Sequence, residues 1–214
     1  MSRSVILLGV DALSYSSFMK CNPRYILTLF NSTFRGVVKN VKLKDSVAGS
    51  WLEVLTMKEQ EPIEFLASIN EELPVVKETY AELVNIPVTN PTYGVLSLDY
   101  ENTDFFEEIK RVRETALSIL DSKKPVIAAV TAIDRALRKG AEDLKCKLYA
   151  EVDKLVKDLV NSAEEFIVFS PFGELKSKEH EAYGVYISTV PRPHEHDVIS
   201  LREIGSLFVK AVKH

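Results

Sequence analysis

Long hydrophobic runs are missing from this sequence. The apolar start at Val5 is too short to span a membrane and lacks a signal-peptide cleavage pattern. Cysteine is scarce: Cys21 and Cys146 are the two present, far apart and in no CxxC motif. They are expected to be reduced structural thiols of a cytoplasmic protein. Glutamine is nearly absent, with Gln60 alone beside abundant Lys and Glu, a composition that leans towards a thermophile. There is no GxxxxGK[ST] or GxGxxG loop and no GxSxG elbow. Phosphate-loop, Rossmann-type and serine-hydrolase readings therefore have no support. The net charge of -4 gives no argument for nucleic acid or an acidic membrane surface as partner.

What is present is core. Of 214 residues, 46% are hydrophobic, enough for one domain over residues 1–214. The chain is organised around Ser4 to Asp11. Val5 to Val10 is an almost unbroken apolar run, as in a parallel strand buried on both faces. Asp11 stands where that strand emerges, which in open α/β sheets is where ligands bind. It either caps the following helix or belongs to a metal or phosphate site.

Downstream, Asn22-Pro23 reads as a helix start with Asn as the cap, and Val37 to Val41 as a short strand. Trp51 to Thr56 reads as a buried helix, and Ile63, Leu66, Ile69 and Leu73 support another ending before Pro74. Glu82 to Ile86 and Tyr93 to Leu98 read as strands. A long helix follows over Asp104 to Asp121, capped by Asn102 or Thr103, with Phe105, Ile109, Val112, Ala116 and Leu120 as its stripe. Pro125 to Ala132 is a central strand and Ala141 to Val160 a helix. Glu165 to Ser170 and Gly184 to Thr189 are strands, and a last helix starts at Ser200 or Asp197. Alternating strands and helices predict a three-layer α/β sandwich around a mostly parallel sheet.

Several segments, taken in order, resemble the alkaline phosphatase superfamily, in its type I phosphodiesterase, nucleotide pyrophosphatase and archaeal predicted phosphomutase branch. Val5 to Asp11 is similar to the first strand with its metal-binding Asp. Asp45 to Thr56 resembles the helix start that carries a nucleophilic Thr or Ser. Val84 to Pro91 resembles the "vinvPvTyP" stretch, and Thr131 to Asp134 with Tyr149 to Asp153 the "TDRiqH … Y.evD" segment. Ile167 to Gly173 stands in the place of "VvSDHG", and Glu179 to Gly184 is similar to "tH..dGvlia". The likeness covers nearly the whole chain, which is shorter than typical relatives.

The resemblance implies two divalent metals, often zinc, that clamp the attacking and leaving oxygens of phosphoryl transfer and activate a hydroxyl nucleophile. Asp11, Asp134 and His180 match metal-ligand positions, and Ser46 is the usable nucleophile, with Ser50 a weaker choice. The other ligand positions carry Arg138, Pro171 and Phe172. Pro and Phe cannot ligate a metal, and Arg138 supplies a fixed positive charge instead.

The expectation is a degenerate phosphodiesterase- or phosphatase-like domain. It holds one divalent ion, zinc or manganese, or none, and binds a phosphorylated ligand or a protein partner. The alternative is an active hydrolase with a rearranged site. Arg138, His194 and His196 are candidate ligand-binding residues. The two histidines lie in a stretch that otherwise reads as a surface loop ending on a helix cap at Asp197. Arg135, Arg138 and Lys139 form a basic patch that is either a phosphate site or a solvated helix face.

Overall fold

A computed structural model of the chain describes residues 4–70, 72–192 and 197–214. The chain opens with β1 (Val5–Val10), buried on both faces, then α1 (Tyr15–Cys21), α2 (Arg24–Ser32) and β2 (Phe34–Lys39). Next come α3 (Val47–Thr56), α4 (Pro74–Thr79) and β3 (Glu82–Val84). They are followed by α5 (Phe105–Asp121), β4 (Val126–Val130), α6 (Ala132–Arg138) and α7 (Lys145–Ser162). The last third holds β5 (Glu165–Phe169), the short hairpin β6 (Leu175–Lys176) and β7 (Glu179–His180), then β8 (Tyr183–Ser188), β9 (Val198–Ile199) and α8 (Leu201–Lys213).

Seven strands form one sheet in the order β3-β4-β1-β5-β8-β2-β9. The pairs β3–β4, β4–β1, β1–β5 and β2–β9 are parallel, and β8 runs antiparallel to both of its neighbours. Helices α3, α4 and α8 pack together as one layer, and α1, α2, α5, α6 and α7 as the other. The molecule is thus a three-layer α/β sandwich with a mostly parallel sheet. β1 lies between β4 and β5, and Val5, Ile6, Leu7, Leu8 and Val10 have no exposed surface. Truncating one of its leucines to alanine would cost about 2–5 kcal/mol through lost transfer energy and the cavity left behind.

Several local expectations need correction. Asn22 does not start a helix: at φ 51° it closes α1 in the left-handed region, donating its N–H to the Phe18 carbonyl. Asn tolerates that region because its short polar side chain can bond locally. Pro23 is the N-cap of α2. No helix spans 63–73 among the described residues. The Ile63 N–H goes to the Ser46 hydroxyl and the Leu66 N–H to the Val88 carbonyl, so this backbone pairs across the fold rather than with itself. Tyr93 to Leu98 makes isolated bridges, Tyr93 to Ile86 and Leu96 to Val84, instead of a strand. The second strand is shifted upstream to Phe34–Lys39. Asp104, not Asn102 or Thr103, caps α5, accepting from the N–H groups of Phe106 and Glu107 at 3.0 Å each. Ser200 caps α8 in a reciprocal box with Glu203.

The cysteines also depart from expectation. They are not free thiols: Cys21, at the end of α1, and Cys146, in the first turn of α7, form a disulfide across 125 positions of sequence. The packing of α1 against α7 brings their Cα atoms to 4.8 Å, a separation that sequence distance alone conceals. No helix among the described residues is long and apolar enough to cross a membrane.

Candidate functional site

Three loops converge at the carboxyl ends of β1 and β4. Asp11 follows β1 directly, and its N–H donates to the Val130 carbonyl at the end of β4 at 2.9 Å. Asp134 sits in the first turn of α6, which starts as soon as β4 ends. The β6–β7 hairpin delivers His180.

Asp134 and His180 form the centre of a linear chain of polar contacts. His180 Nε2 lies 2.7 Å from Asp134 Oδ1, and His180 Nδ1 lies 2.9 Å from Asp45 Oδ1. Arg138 Nε donates to the other Asp134 oxygen at 2.8 Å, one helical turn on. At the far end, Lys44 Nζ reaches Asp45 Oδ2 at 3.0 Å and Glu179 at 2.8 Å. An imidazole facing a carboxylate at each nitrogen satisfies both contacts only with a proton on each nitrogen or on one carboxyl. Burial acts to raise the Asp45 carboxyl, but bonds from the His180 main chain, the His180 ring and Lys44 outweigh it and leave it lowered.

Asp11 is fully buried. Its Oδ1 accepts from Trp51 Nε1 at 3.0 Å, and its Oδ2 has no partner among the described residues. Burial first, and the neighbouring Asp134 second, push this carboxyl well above its ordinary range. Gly9 makes the contact with Trp51 possible, because a Cβ there would collide with the indole ring. Trp51 thus does more than pack the helix start: it supplies the hydrogen-bond donor that Asp11 faces.

Ser46 lies beside this chain of contacts but is itself engaged as the N-cap of α3. Its Oγ accepts from Gly49 and Ile63 N–H groups at 3.2 and 3.0 Å and donates to the Ile63 carbonyl at 2.8 Å. Ser50 is buried, donating to the Leu43 carbonyl and accepting from Asn40 Nδ2. Arg138, Ser46 and Asp45 line one cleft of ≈ 370 Å³ together with Phe65 and Tyr100, whose rings stand 4.7 Å apart. Pro171 and Phe172 serve packing. The Pro171 carbonyl accepts from Asn40 Nδ2 at 3.0 Å, and the Phe172 ring lies 4.6 Å from the His180 ring. His194 and His196 lie outside the described residues.

A buried, heavily bonded ion pair belongs to residues that sequence reasoning missed or misplaced. Arg135 is buried rather than part of a basic surface patch, and its Nη2 donates to Glu108 Oε2 at 2.6 Å. Glu108 Oε1 accepts from the Thr131 N–H, the Thr131 hydroxyl and Asn85 Nδ2. Arg135 also donates to the Thr131 hydroxyl and the Thr103 carbonyl. This knot joins α5, α6 and the loop after β3, and fixes the turn in which Asp134 sits. A glutamate on the buried side of α5 with an arginine four residues after Thr131 was the available signal. Lys139 turns away to the Glu101 carbonyl.

The donor set does not fit a divalent ion as arranged. Both oxygens of Asp134 and both ring nitrogens of His180 already have partners. Among the described residues no group of three His, Cys, Asp or Glu side chains is placed to hold a metal.

No family model and no curated protein matches the sequence. Solved structures do resemble the fold. The alkaline phosphatase of the Antarctic bacterium TAB5 shares 10% identity at a TM-score of 0.65, covering 100% of this chain and 99% of that one. A variant of that enzyme has Mg bound. The PH0037 protein of Pyrococcus horikoshii shares 11% identity at a TM-score of 0.57, covering 100% of this chain and 97% of that one. The 2-O GAG sulfatase BT1596 shares 9% identity at a TM-score of 0.54, over 94% of this chain and 68% of that one. At these identities the likeness is one of fold: the chain has the architecture of alkaline phosphatase- and sulfatase-like proteins.

Proposed function

We propose that this chain is a phosphatase-like domain that binds a small phosphorylated ligand and does not carry out two-metal hydrolysis. One observation carries the reading: two of the side chains that would coordinate cations, Asp134 and His180, are taken up by Arg138, by Asp45 and by each other. Arg138 takes one oxygen of Asp134, and His180 takes the other while bridging to Asp45. A guanidinium neutralises a carboxylate and pairs with phosphate, but it cannot acidify a bound hydroxyl as a metal ion does. The three hydrogen bonds of Ser46 support the same view, since attack on phosphorus would break its bond to the Ile63 carbonyl. Arg138 is the cation of the cleft, and a phosphate would sit on its Nη donors.

Metal analysis of the purified protein and titration with inorganic phosphate test the proposal. The expected result is less than one zinc per chain, phosphate binding that Arg138→Met removes, and no turnover of phosphomonoester or phosphodiester substrates with added zinc or manganese. Two tightly held zinc ions would overturn it.

The second reading is a rearranged single-metal hydrolase using Asp11, Ser46, Asp134 and His180, assisted by His194 or His196. The unpartnered buried Oδ2 of Asp11 favours it, as a free oxygen beside Asp134. It predicts metal-dependent turnover that Asp11→Ala abolishes.

A further inference from the structure

The cleft that holds Arg138 is acidic. Three carboxylates, Asp45, Glu64 and Glu101, line it against the single guanidinium. Asp45 is matched by His180 and Lys44, and the Arg138 charge is matched by Asp134. Glu64 and Glu101 are exposed and have no ion-pair partner among the described residues. Lys139 is bonded to the Glu101 main-chain carbonyl rather than to its carboxylate. A phosphate seated on Arg138 would therefore share a small cleft with two carboxylates that no ion pair among the described residues neutralises. Like charges sharing one cleft repel, so a purely anionic ligand is a poor match.

The walls supply the missing half of the recognition. Phe65 and Tyr100 pack edge to face, with Tyr100 buried and its hydroxyl 3.5 Å from Asp134 Oδ2. Phe65 is half-buried beside Glu64 and lines the same space. Phe65 lines the cleft together with Glu64 and Glu101, and an aromatic ring beside carboxylates attracts an ammonium group through its quadrupole as well as by charge. A volume of ≈ 370 Å³ suits a small molecule.

Resting on the phosphate-binding reading above, we infer that the ligand is a zwitterion: a phosphate monoester that carries an ammonium group on a short spacer. The phosphate pairs with the Arg138 Nη donors, and the ammonium lies between Glu64 and Glu101 against the Phe65 ring.

Calorimetric titration of the full chain with inorganic phosphate, glycerol 3-phosphate and phosphoethanolamine at one fixed low salt concentration tests this. Phosphoethanolamine is expected to bind at least tenfold more tightly than glycerol 3-phosphate. In the Glu64→Gln, Glu101→Gln double variant that preference disappears, while inorganic phosphate binds more tightly because two repelling charges are gone. Both positions are exposed, so folding of the variant is checked by circular dichroism. Should it not fold, Phe65→Leu takes its place and is expected to reduce the preference at least threefold. Equal affinity of the wild-type protein for the two esters overturns the zwitterion and leaves phosphate binding standing. Failure of all three probes overturns both.

Discussion

Asp134 Oδ1 and His180 Nε2 stand 2.7 Å apart and join α6 to the β6–β7 hairpin across 46 positions of sequence. Neither side chain is more than 1% exposed. Removing one partner of a buried hydrogen-bonded pair leaves the other's polar atom unsatisfied, which typically costs more than the bond contributes. His180→Ala is therefore expected to destabilise the fold by about 3 kcal/mol. Urea denaturation measures it, and a loss below about 1 kcal/mol would show that Arg138 alone satisfies Asp134.

Alkaline pH probes a different part of the fold. Burial pushes the phenols of Tyr15 and Tyr186 up from 10.0 to about 12. Below pH 10 both are protonated in folded and unfolded chains alike. Between 10 and 12 the unfolded chain releases protons that the folded one keeps, so stability falls as pH rises. Each group contributes up to roughly 3 kcal/mol across that window. The Tyr15→Phe, Tyr186→Phe double variant is expected to show a flatter fall than wild type between pH 9 and 11 in urea titrations. Parallel curves for the two proteins would contradict the assignment.

The Cys21–Cys146 bridge closes a loop of 125 positions. Constraint of the unfolded chain by a loop of that order is worth about 2–5 kcal/mol. Thermal unfolding with and without dithiothreitol is expected to differ by several degrees, and the Cys21→Ser, Cys146→Ser variant should match the reduced protein. An unchanged midpoint would show that the bridge contributes nothing.

Elements with one-sided or fully apolar patterning were legible in the sequence. β1, β4 and β5 announce themselves as buried runs, and the stripe of α5 from Phe105 to Leu120 is the one that packs. Features held by backbone or polar contacts between distant residues were not. The 63–70 stretch carries helical spacing, yet its N–H groups are drawn to Ser46 and Val88. α6 is a seven-residue helix whose Arg135 points inward to Glu108, and no periodicity reveals a buried ion pair. In the site, motif order pointed to Asp134 and His180, which lie in contact. Asp45, the second partner of His180, and Trp51, the donor to Asp11, stood in the sequence only as parts of a segment resembling a nucleophile-bearing helix start. Their roles depend on the α3 start meeting the β7 hairpin and on Gly9 leaving room for an indole.

The bridge between α1 and α7 has a consequence for the intact molecule. A cut anywhere from residue 22 to residue 145 yields two fragments that remain tethered. Residues 58–62 are mostly exposed and outside any helix or strand, which makes them an accessible target for a protease. A molecule nicked there would migrate as one species until a thiol was added, so damage at this surface would leave the halves together and free to re-form the sheet.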